Sequence, residues 1–271
     1  MTQSIFHGMR KRLSILLLVF MVVSPVVADH RITVRTTMAD PAMSSFKMTN
    51  VTSTKNKRQR IEDTTEISGQ ATTQIRLVMC DTEQEALLDP EGRIYTVRPL
   101  KPGGISDSVN PTEPAKKGTG KIETQVRVED RGSERLADFD TRHWWVDSKI
   151  KGSGCVGDFE HETQREVWTT ASLPTFECPL LNDNWTTSSW DGCTCTNVVT
   201  GDVEQYRLST KGQVVKEVIY QNGKPMMTRE LIDYSTAELD QTLFSLEGYR
   251  EVSQSEFDRV LKDRIAKAYS R

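Results

Sequence analysis

The chain has 271 residues, with 35 basic and 38 acidic side chains and a formal charge of −3. That balance excludes the strongly basic surface needed to hold nucleic acid or an anionic membrane. Its hydrophobic content of 36% is enough for a buried core, and its five cysteines make the redox compartment the first question.

The N-terminus reads as a targeting segment. Arg10-Lys11-Arg12 is a positively charged start, Leu13 to Val23 is an unbroken apolar run, and Pro25 interrupts it before Val26-Val27-Ala28. This is the pattern of a signal peptide over residues 1–28, cleaved after Ala28. The apolar run falls short of the roughly 20 residues that span a bilayer, so an uncleaved membrane anchor is the weaker reading. Loss of residues 1–28 leaves 243 residues and, with three basic side chains gone, shifts the formal charge from −3 to −6. The expected product is an exported protein in the periplasm, or secreted. It is not transmembrane, and nucleic acid is not a partner.

Residues 29–271 read as a single β domain. Arg31 to Met38, Phe46 to Thr52 and Arg58 to Asp63 are strand-like, with Asp40-Pro41 as a break. Ile75 to Leu100 is the organising stretch, a long strand followed by a hairpin about Asp89-Pro90-Glu91-Gly92. Apolar residues there occupy both parities (Leu77 and Val78, Leu87 and Leu88, Ile94 and Tyr95), which predicts a sheet covered on both faces.

Residues 101–120 are rich in Pro, Gly, Ser and charge, and read as a flexible surface insertion. Lys121 to Glu129 alternates strictly, with Ile122, Thr124, Val126 and Val128 opposed to Glu123, Gln125, Arg127 and Glu129. Asp130 to Ser133 reads as a turn, and further strands follow around Trp144 and Trp168. Trp144 and Trp145, being neighbours on a strand, must point to opposite faces. Cys178 to Val198 reads as irregular.

A meander follows from Val203 to Ser209, Val214 to Tyr220 and Met226 to Tyr234, with Asn222-Gly223 as a strong hairpin signal. Ser253 and Glu256 form a capping box for a C-terminal helix over residues 254–270. On it Phe257, Val260, Leu261, Ile265, Ala268 and Tyr269 share one stripe. The predicted fold class is mainly β: a curved antiparallel sheet or incomplete barrel of about ten strands, with the C-terminal helix as part of its cover.

The chemistry-bearing residues are few. In an oxidising compartment the five cysteines predict two disulfides and one free thiol. Cys155 and Cys178 flank one strand and are expected to pair. Cys80 is then expected to bond Cys193 or Cys195, with a slight preference for Cys193; a Cys193–Cys195 bond would strain the i, i+2 closure. His143 and His161 stand in no metal-ligand spacing, so no metal or cofactor is expected. No Gly-x-Ser-x-Gly, phosphate loop or catalytic dithiol is present, so the chain does not read as an enzyme.

Three stretches carry a family resemblance: Met79-Cys80-Asp81 with Gly92-Arg93-Ile94-Tyr95; Asp130 to Arg135 with Arg142-His143; and Leu243 to Tyr249. With the signal peptide, the meander and the late helix, they resemble the LolA-like superfamily of periplasmic lipoprotein carriers and lipid-binding proteins, and within it uncharacterised exported bacterial members. The chain departs from the carriers in starting with a strand and in its cysteines. The resemblance implies an incomplete barrel closed by helix over an apolar cavity, holding a lipid, a lipidated protein or another hydrophobic ligand. It carries over no individual ligand-binding residue. The alternative expectation is a disulfide-stapled envelope structural or protein-interaction module without a small ligand.

Overall fold

A computed structural model describes residues 29–40, 45–67, 69–100, 118–178, 187–190 and 193–269. The expected signal segment 1–28 and residues 101–117 of the expected insertion lie outside the described residues. The described chain forms one open sheet with a C-terminal helix, so the mainly β class holds. The sheet has 14 strands, more than the ten expected.

The strands fall into two successive groups. The first is β1 (His30–Met38), β2 (Lys47–Lys55), β3 (Arg58–Ile67), β4 (Gln70–Met79), β5 (Gln84–Asp89) and β6 (Ile94–Pro99). The second is β7 (Gly118–Leu136), β8 (Phe139–Gly154), β9 (Phe159–Thr170), β10 (Thr187–Trp190), β11 (Cys193–Gly201), β12 (Gln213–Gln221) and β13 (Lys224–Ser235). The C-terminal part adds β14 (Arg250–Glu251) and the helix α2 (Gln254–Tyr269). The spatial order is β10-β11-β7-β8-β9-β12-β13-β1-β2-β3-β4-β5-β6-β14. The N-terminal strand β1 therefore lies mid-sheet, paired antiparallel with β13 on one side and β2 on the other.

Neighbouring pairs are antiparallel except β11 with β7 and β14 with β6, both near the ends of the sheet. These two, with β10, account for much of the excess over the expected strands. Their partners lie far away in sequence, so no local hairpin signal announces them.

Four local expectations change, the first being that Cys178–Val198, expected to be irregular, carries β10 and the start of β11. Residues 118–120 of the expected insertion belong to β7, paired with β11 and β8. Asp130–Ser133 is a bulge within β7 rather than a turn; the Asp130 carboxylate accepts from the Gly132 N–H at 2.9 Å, and the strand continues to Leu136. Val203–Ser209 is not a strand. The helical turn α1 (Val203–Tyr206) and a 3-10 turn at Leu208–Lys211 occupy it. There the Asp202 carboxylate accepts from the Val128 N–H, which ends the pairing of β11 with β7 and turns the chain over the sheet. Tyr206 and Leu208 then pack on Trp144, Val146 and Val167.

The two turns at either extreme of the expectations are instructive. Asn222 and Gly223 both take positive φ, +52° and +72°, as a two-residue hairpin requires. In the β5–β6 hairpin it is Arg93, at φ +47°, and not Gly92 that takes the left-handed position. Gly92 is needed for room: a Cβ there would stand 2.5 Å from the Asp89 carboxylate and 3.4 Å from the Arg264 guanidinium.

Through the registers, every strand shares two faces, which we call the Trp144 face and the Trp145 face. At the β4–β6 end both are covered. On the Trp145 side Ile75, Leu77, Met79, Ala86 and Leu88 pack under Phe244 and its flanking residues Leu239, Leu243 and Leu246. On the opposite side Ile94 packs with Phe257, Val252, Val260 and Leu261, and Val78 packs with Leu100, Phe176 and Cys178. The segment after β13 thus crosses one face, passes the sheet edge as β14, and returns over the other face as α2. Ser253 caps that helix by accepting from the Glu256 N–H at 3.2 Å.

Residues 171–178 make a second connection along the sheet, from the end of β9 to Cys80 at the end of β4. Six strand steps separate β9 from β4. At about 4.8 Å per step that is ~29 Å, which is close to the ~26–29 Å limit of eight extended residues. Leu173 is buried along the way, beside Trp168 and Val215. The segment is therefore a taut chord across a curved sheet.

Candidate functional site

The Trp145 face at the β7–β12 end is open, and its functional-type side chains follow from strand alternation. Arg131 sits in the β7 bulge; His143 and Trp145 come from β8, Glu166 and Trp168 from β9, and Tyr220 from β12. The registers bring them together, since His143 lies opposite Trp168, Trp145 opposite Glu166, and Tyr220 opposite Gln164.

Two carboxylates organise the group. Glu166 accepts from the Tyr220 hydroxyl at 2.7 Å and from Arg131 at 3.1 Å. Glu134 accepts from the Trp168 indole N–H and lies 3.4 Å from His143 Nδ1. His143 is stacked on Trp168, with centroids 4.4 Å apart and planes 10° apart. Among the described residues its buried Nε2 has no hydrogen-bond partner, and it lies 3.7 Å from Glu166. The Arg131 guanidinium lies 4.4 Å over the Trp145 ring, and Trp145 meets Tyr220 at 5.6 Å. The Tyr220 hydroxyl is pushed above its ordinary pKa, chiefly because it donates to the Glu166 carboxylate.

Beside this cluster lies a concavity of about 390 Å³, lined by Arg127, Asp147, Lys149, Glu162, Gln164 and Tyr220 among others. Its walls carry both signs of charge, amides and one phenol. A second hollow, of about 440 Å³, is lined by Lys55, Lys57, Arg58, Asp81 and Phe244. Such surfaces suit polar and charged groups with a flat apolar edge. Alternation could have pointed to single members of this face, but the gathering of Arg131, His143, Glu166 and Tyr220 depends on a bulge and on pairings between distant segments.

The cysteine pairing departs from expectation. Cys80 is bonded to Cys178, with a Cα separation of 5.9 Å, and Cys155 to Cys193, at 5.7 Å. The expected Cys155–Cys178 bond fails because residues 171–178 carry Cys178 across the sheet to β4, away from the β8 end where Cys155 stands. Neither Cys193 nor Cys195 pairs with Cys80, because β11 lies beyond β7 at the opposite end of the sheet. Cys195 is free and buried. Among the described residues, Cys155, Cys193 and Cys195 form the one group of metal-ligand type, their sulfurs within 4.8 Å of one another. With two of those sulfurs joined, it is not a thiolate set for a metal.

Two disulfides fit an oxidising compartment. Among the described residues, no helix is long and apolar enough to cross a membrane. Neither protein-family models nor curated proteins give a match to this chain, so its functional reading rests on its own residues.

Proposed function

We propose that this chain is an exported, disulfide-braced interaction module that binds a polar protein surface through the Trp145 face. One observation carries the reading. At the β4–β6 end the apolar surfaces of both faces are filled by the chain's own side chains, while the open concavity is lined by charged and amide groups beside Trp145 and Tyr220. Aromatic rings and Arg in a polar surround are the residues that anchor protein interfaces. Export follows from the N-terminal pattern and agrees with the two disulfides. The test is crosslinking in the exporting cell, comparing the wild type with Trp145→Ala and Lys149→Glu, alongside native mass spectrometry and solvent extraction. A specific protein adduct lost in both variants, with no bound lipid, is the expected result. Stoichiometric lipid in the extract and unchanged adducts would overturn the reading.

A second reading, a carrier of a lipid or another hydrophobic ligand, agrees with the LolA-like resemblance. It draws support from the middle of the Trp144 face. There Val34, Met48, Ile219 and Met227 are only half-buried, between two covered ends. That trough is also crossed by charge, because Glu217 takes Arg165 at 2.9 Å and Arg229 at 3.2 Å. The same extraction distinguishes the two readings.

A further inference from the structure

Three sulfurs meet where β7 begins. In the parallel register Cys193 stands opposite Gly118 and Cys195 opposite Gly120. On the other side of β7, Gly120 pairs with Gly154, and the Cys155 N–H donates to the Thr119 carbonyl at 3.1 Å. Cys155 is therefore placed across β7 at the level between the two cysteines of β11. The strand between them has no side chains at 118 and 120. A Cβ at Gly120 would lie 2.9 Å from Cys195 Sγ and 3.2 Å from Cys155 Sγ, so the glycine holds open the space the sulfurs share. Cys195 Sγ is 3.6 Å from Cys193 Sγ, and all three cysteines are buried.

From this arrangement we infer that the bond is a two-position disulfide, exchanging between Cys155–Cys193 and Cys155–Cys195. The Cys195 thiol loses its proton and its thiolate attacks Cys155 Sγ. The Cys155–Cys193 bond breaks, and the Cys193 thiolate leaves and takes up a proton. One disulfide and one thiol stand on each side of the reaction, and no oxidant or reductant is consumed. Attack on Cys193 Sγ instead would close the disfavoured i, i+2 ring. Burial raises the Cys195 thiol above its ordinary pKa, which keeps the attacking thiolate scarce near neutrality. Exchange transfers the free thiol from the third residue of β11 to its first.

Non-reducing peptide mapping tests the inference. In Cys193→Ser, a Cys155–Cys195 peptide is expected in place of the native link. In native wild-type protein held without reductant, the same peptide should appear, about tenfold faster for each pH unit below the thiol pKa. Cys195→Ser should show only Cys155–Cys193 at every pH, and Cys80–Cys178 should persist throughout. A folded Cys193→Ser protein with Cys155 and Cys195 both free would overturn the proposal. Should that variant not fold, wild type yielding only Cys155–Cys193 after alkaline incubation would overturn it equally.

Discussion

The two ends of this sheet are built from the same kind of strand and are finished differently. At the β4–β6 end apolar residues fill both parities, with Leu77 and Val78 both buried, and the polypeptide covers each face in turn. At the β7–β9 end the second parity is mixed, with Trp168 buried beside Leu173 but charged and amide side chains along the rest. Trp144, Val146 and Val167 lie under Tyr206 and Leu208, while the Trp145 face carries ion pairs and an open hollow. The difference teaches that doubled hydrophobicity in a strand is a demand for a second cover. Here residues 239–269 meet it by clasping the sheet edge. Where alternation is strict, one face is left to water and to partners.

The largest expected effect breaks the clasp. Phe244→Ala and Phe257→Ala each remove a side chain with almost no exposure from opposite faces of the same end. Each should cost about 3–5 kcal/mol in denaturant unfolding. Trp145→Ala, at the open end, should cost under about 1 kcal/mol, the scale of an exposed cation–π contact. Equal losses from Phe244 and Trp145 would erase the distinction between the ends.

An intermediate effect concerns two Arg–carboxylate pairs. The Asp89 side chain is fully buried, accepts from the N–H groups of Glu91 and Gly92 at 3.2 Å each, and is gripped by Arg264 of α2. Asp89→Ala should cost about 2–3 kcal/mol, below the usual range for breaking a buried pair, because Arg264 keeps Glu91 at 3.1 Å. Asp130 and Arg142 form a similar bidentate pair at the open end, but in water. Asp130→Ala should leave the unfolding midpoint almost unmoved. A melting series over the two variants decides whether burial, and not pairing, sets the difference.

The smallest effect is one of pH. Burial alone would raise the pKa of Asp29, but the Lys55 ammonium and the Leu239 N–H outweigh it and hold the carboxyl below its ordinary value. A carboxyl lowered on folding stabilises the fold above its unfolded pKa, and that contribution disappears as pH falls through the folded value. Asp29→Asn should therefore lower the melting temperature at neutral pH and flatten its decline on acidification. An unchanged slope would remove Asp29 from the account.

How far the sequence carried can be judged from particular elements. Parity announced the double cover at Leu77 and Val78, alternation announced β7 from Ile122 to Val128, and the Ser253–Glu256 cap announced α2, because each signal is complete within one turn or strand. The pairing of β11 with β7 could not be read that way, since β8, β9 and β10 separate the two strands in sequence. The disulfides fail for the same reason. Cys178 lies only 23 positions from Cys155, yet the chord of residues 171–178 carries it to Cys80, at a sequence separation of 98. The cluster about Glu166 was invisible because a bulge, which no composition rule marks, aims Arg131 at it.

The mid-sheet position of β1 also governs how the molecule can assemble. Residues 30–99 and 118–235 form two half-sheets, joined edge to edge by the β1–β13 ladder, in which Arg31 pairs with Ser235, 204 positions away, and bridged as well by the Cys80–Cys178 disulfide. Until β13 exists, one edge of β1 has bare N–H and C=O groups, the template that invites pairing with another chain. Closing a loop of that length costs about 4.7 kcal/mol in chain entropy, and one ladder from Arg31 to Met38 offsets it. That seam makes the two half-sheets one continuous sheet.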